Sequence, residues 1–118
     1  MGLSTASGAP GKGRGSFFVY RADGDEAVVY ANEACLRIFG CADQEQFVTL
    51  TGGTFPGMVH PEDIEAVEHS ISRQIQADRY SMDYVEYRII RRDGSIRWIE
   101  DYGHHVTLDA GEFFYVFI

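Results

Sequence analysis

A chain of 118 residues is long enough for one hydrophobic core and too short for two. Its apolar share of 45% and charged share of 24% are ordinary for a globular chain, and no apolar run approaches the ~20 residues that a membrane-spanning helix needs. The formal net charge of −8, ten Lys and Arg against eighteen Asp and Glu, argues against a nucleic-acid partner, whose phosphates must be met by cations.

Residues 1–15, MGLSTASGAPGKGRG, hold five glycines and almost nothing that can pack, the composition of an arm or linker. No apolar central segment of a secretory signal is present, so the expectation is a cytoplasmic protein, or a cytoplasmic piece of a larger one, with no membrane contact from this stretch. The folded unit is expected over residues 16–118. Phe17 to Tyr20 reads as a strand, Asp23-Gly24-Asp25-Glu26 as a turn and Ala27 to Tyr30 as a returning strand. Asn32 is placed to cap a short helix whose apolar stripe is Ala34, Cys35, Ile38 and Phe39, with Gly40 as its stop. Asp43-Gln44-Glu45 starts another helical turn carrying Phe47 and Leu50, interrupted at Thr51-Gly52-Gly53-Thr54.

The best-marked helix follows. In His60-Pro61-Glu62-Asp63, proline takes the first helical position beside two acids that suit the positive end of the helix dipole. Ile64, Val67, Ile71 and Ile75 then recur at spacings of three and four until about Asp78. The stretch YVEYRIIRRDGSIRWIE, Tyr84 to Glu100, reads as a β-hairpin turning at Asp93-Gly94, with Val85, Tyr87 and Ile89 on one face. A continuation runs to Leu108, and after a turn at Asp109-Ala110-Gly111 the last strand is FFYVFI. Strands grouped apart from helices predict an α+β fold, a five-stranded antiparallel sheet with helices packed on one face.

Cys35 and Cys41 match no metal-knuckle spacing, and no metal site is expected. Arg88, Arg91, Arg92 and Arg97 cluster near the hairpin turn, where a solvated edge explains them better than a phosphate site.

Three segments carry a family resemblance. YANEACLRIFGC resembles the PAS-domain segment in which an asparagine opens a short helix ending in glycine. VHPEDIEAVEHSI resembles the start of the long PAS helix, and YRIIRRDGSIRWIE the signature hairpin of the PAS subgroup common in bacterial sensor histidine kinases and diguanylate cyclases. The resemblance spans roughly Ser16 to Ile118. It implies a sensory or interaction module that is not itself an enzyme, with a pocket between sheet and helices for a small molecule. It also implies an output domain in the same parent chain, reached through a C-terminal signalling helix that this stretch lacks.

Covalent flavin photochemistry in this family needs a reactive cysteine on the helix over the flavin, and the corresponding TLTGGTFPGMV has none. Haem needs an inward histidine. His69 lies about 140° around the helix from Ile64 and should face water. His60 belongs to the helix start, and of His104 and His105, adjacent on a strand, one can face inward. Haem is therefore not expected, and the identity of any cofactor is left open. No acid is spaced with a His or Ser as in a triad; a small-molecule isomerase or hydratase remains the enzyme alternative, favoured by a buried carboxylate of raised pKa.

If Val85, Tyr87 and Ile89 face the helices, they meet Leu36, Phe39, Val59, Ile64 and Val67, and Met58 joins Phe39 and Tyr87 in lining or filling the space between. A ligand there would be small and largely apolar, meeting a polar group such as the Tyr87 hydroxyl; a closed core without ligand is the alternative. The first and last strands are apolar on both faces, so their outer face needs a cover. A homodimer through that face, involving Phe18, Tyr20, Phe114 and Val116, is the expectation, with a purely structural dimerisation domain as the alternative function.

Overall fold

The structure, a computed structural model, describes residues 15–118, so the expected N-terminal arm lies outside the described residues except for Gly15. Strands β1 (Phe17–Arg21), β2 (Val28–Ala31), β3 (Met82–Ile90), β4 (Ile96–Leu108) and β5 (Gly111–Phe117) form one antiparallel sheet in the order β2-β1-β5-β4-β3. Helices α1 (Glu33–Ile38), α2 (Gln44–Thr51), α3 (Phe55–Met58) and α4 (Ile64–Ala77) fill the connection from β2 to β3. The expected α+β fold is the one observed.

Period-two alternation decides which side chains meet the helices. Val85, Tyr87 and Ile89 of β3, Ile99 and Asp101 of β4, Phe114 and Val116 of β5, and Phe18 and Tyr20 of β1 are all buried on one face. Leu36, Phe39, Phe47, Phe55, Met58, Val67 and Ile71 come down on them from the helices. β1 pairs with β2 through a bulge between Val19 and Tyr20, where Val29 has no partner. Val29 and Tyr30, consecutive in sequence, are consequently both exposed.

The short helices are held by their caps. Asn32 Oδ1 accepts from the Cys35 amide at 3.0 Å and from the Phe17 amide at 3.1 Å, so one side chain closes α1 and ties it to β1. Asp43 caps α2 through the Gln46 amide at 2.9 Å. Thr54 caps α3, a turn the sequence pattern did not mark, by accepting from the Gly57 amide. Position 57 admits no side chain: a Cβ there would lie 1.6 Å from the Thr51 carbonyl oxygen.

α4 begins at Ile64, three residues after the proline expected to open it. Pro61 lies in a preceding turn closed by the Asp63 amide on the His60 carbonyl, and His60 Nδ1 accepts from the Glu62 amide. The Asp63 side chain makes no cap. Its carboxylate instead receives the Arg88 amide, Nε and Nη2 at 2.9, 3.1 and 2.7 Å. A bidentate guanidinium outcompetes one helix-end amide, and that competition moves the start of the helix.

The hairpin also turns more widely than two residues. Arg91 to Ser95 connect the strands, with Gly94 at φ 87° and Asp93 accepting from Ser95. Its tip docks on α1: Arg91 Nε donates to the Ile38 carbonyl at 2.8 Å and the Arg92 amide to that of Phe39 at 2.8 Å. Those carbonyls are the negative end of the helix, so Arg91 is a cation placed where the dipole favours one. With Arg88 on Asp63 and Arg91 on α1, two of the four arginines brace the fold, while Arg92 and Arg97 are exposed at the edge.

Candidate functional site

The expected pocket residues do come together. Leu36, Phe39, Met58, Val59, Val67, Val85, Tyr87 and Ile89 belong to one buried cluster, and Ile64 packs half-buried at its edge. Aromatic rings bind this layer: Tyr20 stacks on Phe55 at 4.4 Å and 3°, and on Phe114 at 5.0 Å. Phe39 meets Phe47, and Phe55 meets Tyr87, edge to face.

The expected dimer residues do not lie where a partner could reach them. Phe18, Tyr20, Phe114 and Val116 face the helices and are 0%, 2%, 9% and 1% exposed. The outer face carries their neighbours, one residue out of phase, and a one-residue shift in a strand exchanges faces. There Phe17 packs on Tyr30, Tyr115 and Phe117, while Trp98, Tyr84 and Tyr102 stand out from β3 and β4. Both faces of β1 and β5 are apolar, as expected.

Beside the Tyr87 hydroxyl that the sequence pointed to, the interior holds a group of acids that the pocket reading did not include. Tyr87 donates its hydroxyl to Asp101 Oδ2 at 2.6 Å, both groups buried. Asp83, on β3, is 6% exposed, and neither of its carboxylate oxygens has a partner. Its carboxylate lies across the neighbouring strand where Gly103 has no side chain; a Cβ at 103 would stand 2.6 Å from Asp83 Oδ2. Burial pushes the Asp83 carboxyl up to about 6, and burial with the nearby Asp83 charge pushes Asp101 up to about 7 against the Tyr87 hydrogen bond. Burial, then the charges of Asp101, Asp83, Glu26 and Glu68, push the Tyr20 phenol far above its ordinary range. Glu26, at the turn before β2, meets Glu68 of α4; burial and that neighbour raise it to about 8. One of its oxygens is buried without a partner.

The signal for these acids was present. Asp83 shares the phase of Val85, Tyr87 and Ile89, and Asp101 that of Ile99, so the alternation that identifies the core also places two carboxyls in it. Glu26 and Glu68 come from different elements, and nothing in their spacing joins them.

Both cysteines are free and buried, and burial raises the Cys35 thiol to about 12. Of the histidines, His69 and His104 are exposed, His60 serves the turn before α4, and His105 is half-buried with Nε2 2.9 Å from Glu112. Among the described residues no group of His, Cys, Asp and Glu has the geometry to hold a metal ion. No helix among them is long and apolar enough to cross a membrane.

With this architecture in place, comparison is decisive. A family model described as the PAS fold matches residues 28–116. The chain belongs to the PAS family. Solved PAS structures superpose closely. A PAS domain from a two-component sensor histidine kinase has TM-score 0.66 at 16% identity, over 87% of this chain and 81% of the other. The PAS domain of an HTR-like protein from Haloarcula marismortui has TM-score 0.66 at 18% identity, over 90% and 80%. A PAS domain from Colwellia psychrerythraea has TM-score 0.64 at 20% identity, over 86% and 83%. At these identities the likeness is one of fold. No curated protein sequence matches the chain. PAS domains are in general sensory, non-catalytic modules, and histidine kinases are among the proteins that carry them.

Proposed function

We propose that this PAS domain is a cytoplasmic sensory module that takes a small ligand between its sheet and helices, dimerises through its outer sheet face, and regulates an attached output domain such as a histidine kinase or diguanylate cyclase. The observation that carries the ligand half is the interior polar group around Asp83. A core that only had to be filled would not bury two carboxylate oxygens with no donor, because each unmet acceptor costs on the order of 1–3 kcal/mol. The outer aromatic face supports the dimer half, since exposed rings clustered on one sheet mark an interaction surface. The test is native mass spectrometry of freshly purified protein beside the same sample denatured. An extra mass on the native species, lost on denaturation, is the expected result. Equal masses per protomer would remove the retained ligand and leave a purely structural dimerisation domain.

One observation favours a second reading, a small-molecule isomerase or hydratase. Asp101, raised to about 7 and hydrogen-bonded by Tyr87, has the poise of a general base. A base must reach the proton it removes, and here Asp101 is 1% exposed with its Oδ2 already taken by the Tyr87 hydroxyl. Proton–deuterium exchange into small ketones, with loss in Asp101→Asn, would establish this reading; no exchange above buffer leaves the sensory one.

A further inference from the structure

The interior acids are unusual in lacking any counter-charge. Asp83 acts on Asp101, Glu68 acts on Glu26, and all four act on Tyr20, while no Lys, Arg or His is among the groups that shift Asp83, Asp101 or Glu26. His105, on β4, sits beside Phe114 and turns Nε2 to Glu112. Tyr87 meets one oxygen of Asp101. Asp83 is met by nothing, although it is more than nine-tenths buried.

The surroundings define what would satisfy it. Asp83 offers two acceptor oxygens, and its carboxylate lies over Gly103, near enough to the Tyr20 phenol to act on it. The walls are aromatic, Tyr20 and Phe55 in face-to-face contact with Tyr87 edge-on. Carboxylates accept from a positive charge that carries N–H bonds, and aromatic surroundings suit a ligand with an apolar body. Glu26 from the β1–β2 turn and Glu68 from α4, both half-buried and acting on Tyr20, add negative potential that would draw a cation inward.

We propose that the Asp83–Asp101–Tyr20 corner is a binding site for a small organic cation, a protonated primary amine on an apolar body. The proposal rests on the sensory reading above and names its ligand class. Three N–H bonds suit the two unpartnered oxygens of Asp83 and one further acceptor, and the apolar body lies against the rings. A quaternary ammonium lacks those donors and would leave Asp83 as it is. An anion would meet four acids.

The test is titration of the intact chain with benzylammonium, benzyltrimethylammonium, benzyl alcohol and benzoate, read by thermal shift and by the backbone amide resonances of Asp83 and Gly103. Benzylammonium is expected to raise the Tm and move both resonances, with the quaternary ion much weaker and the alcohol and benzoate without effect. Asp83→Asn is expected to fold and to lose about tenfold or more in affinity for benzylammonium. Gly103→Ala, whose methyl displaces the Asp83 carboxylate, should lose binding as well. The proposal is overturned if benzylammonium has no effect on the wild type, or if Asp83→Asn and Gly103→Ala bind it unchanged. It is equally overturned if benzyl alcohol matches benzylammonium, although the sensory reading would then stand with a neutral ligand. Native mass spectrometry judges that reading separately.

Discussion

At the scale of single residues, the interior carboxyls and Asp63 pull the pH dependence of stability in opposite directions. Asp83 and Asp101 have folded-state pKa values raised to about 6 and about 7 from 3.8, so the native state holds their protons more tightly than the unfolded chain does. The stability they confer is complete below about pH 4 and is lost as pH rises through 6 and 7. Asp63 is the reverse case: the Arg88 hydrogen bonds lower it to about 2, so its contribution is present above about pH 4 and lost as pH falls toward 2. Urea unfolding across pH should therefore show maximal stability where these windows meet, near pH 4, and a decline toward neutrality. Asp83→Asn should flatten the part of the decline below pH 6 and stabilise the protein at pH 7 by on the order of 2–3 kcal/mol. A wild type most stable at pH 7 would contradict the assignment. Tyr87→Phe acts the other way. It removes the donor 2.6 Å from Asp101 and leaves a buried acceptor unmet, so a loss of about 1–3 kcal/mol at pH 7 is expected from the same measurement.

At the scale of elements, the edge of the sheet shows why hydrogen bonding matters as much as pattern. β3 is an edge strand, and an open edge invites pairing with another chain. The Gln74 amide of α4 occupies it, accepting from the Tyr84 amide and donating to the Tyr84 carbonyl, both at 2.8 Å. Four residues along the strand, the Arg88 amide goes to Asp63 and its carbonyl accepts from the His60 amide. α4 thus does the work of a neighbouring strand at two positions. Gln74→Ala should cost about 1–2 kcal/mol in urea unfolding and make the protein associate with rising concentration. Gln74→Glu keeps the acceptor for the Tyr84 amide but faces its carbonyl with an oxygen, and should restore only part of the loss. None of this was legible in the sequence. The periodicity of Ile64, Val67, Ile71 and Ile75 identified α4 and its buried face, because burial imposes that spacing. The start of α4 was not legible, because Asp63 is claimed by Arg88, 25 residues away, and long-range competition leaves no local mark. The caps at Asn32 and Asp43 were readable for the opposite reason, since donor and acceptor are three residues apart.

At the scale of the whole molecule, one sheet serves two surfaces. The inner one was legible as a set of residues with the Tyr87 hydroxyl among them, while its acids were missed by a reading that began the hairpin at Tyr84; Asp83 lies one residue before it, in phase with Val85. The outer one was legible as a composition and misassigned by phase. A strand apolar on both faces offers no alternation to say which side is inward, and only the register of β1 against β5, Phe18 on Val116 and Tyr20 on Phe114, settles it. The same ambiguity gives the last prediction its form. If the outer face joins two copies, the ring to break it is Phe117, which is 43% exposed and packs on Phe17 with centroids 4.9 Å apart. Phe117→Glu would place a like charge opposite its symmetry mate in a two-fold interface, which costs far more there than on an open surface. Light scattering should show the wild type dimeric and Phe117→Glu monomeric, with urea midpoints within about 0.5–1 kcal/mol once the loss of dimer is allowed for. Val116→Glu, one residue earlier, is the control of opposite sense. That side chain is 1% exposed on the inner face, so the substitution should unfold the chain and not merely divide a dimer. A wild type monomeric at high concentration would leave the aromatic outer face to a different partner.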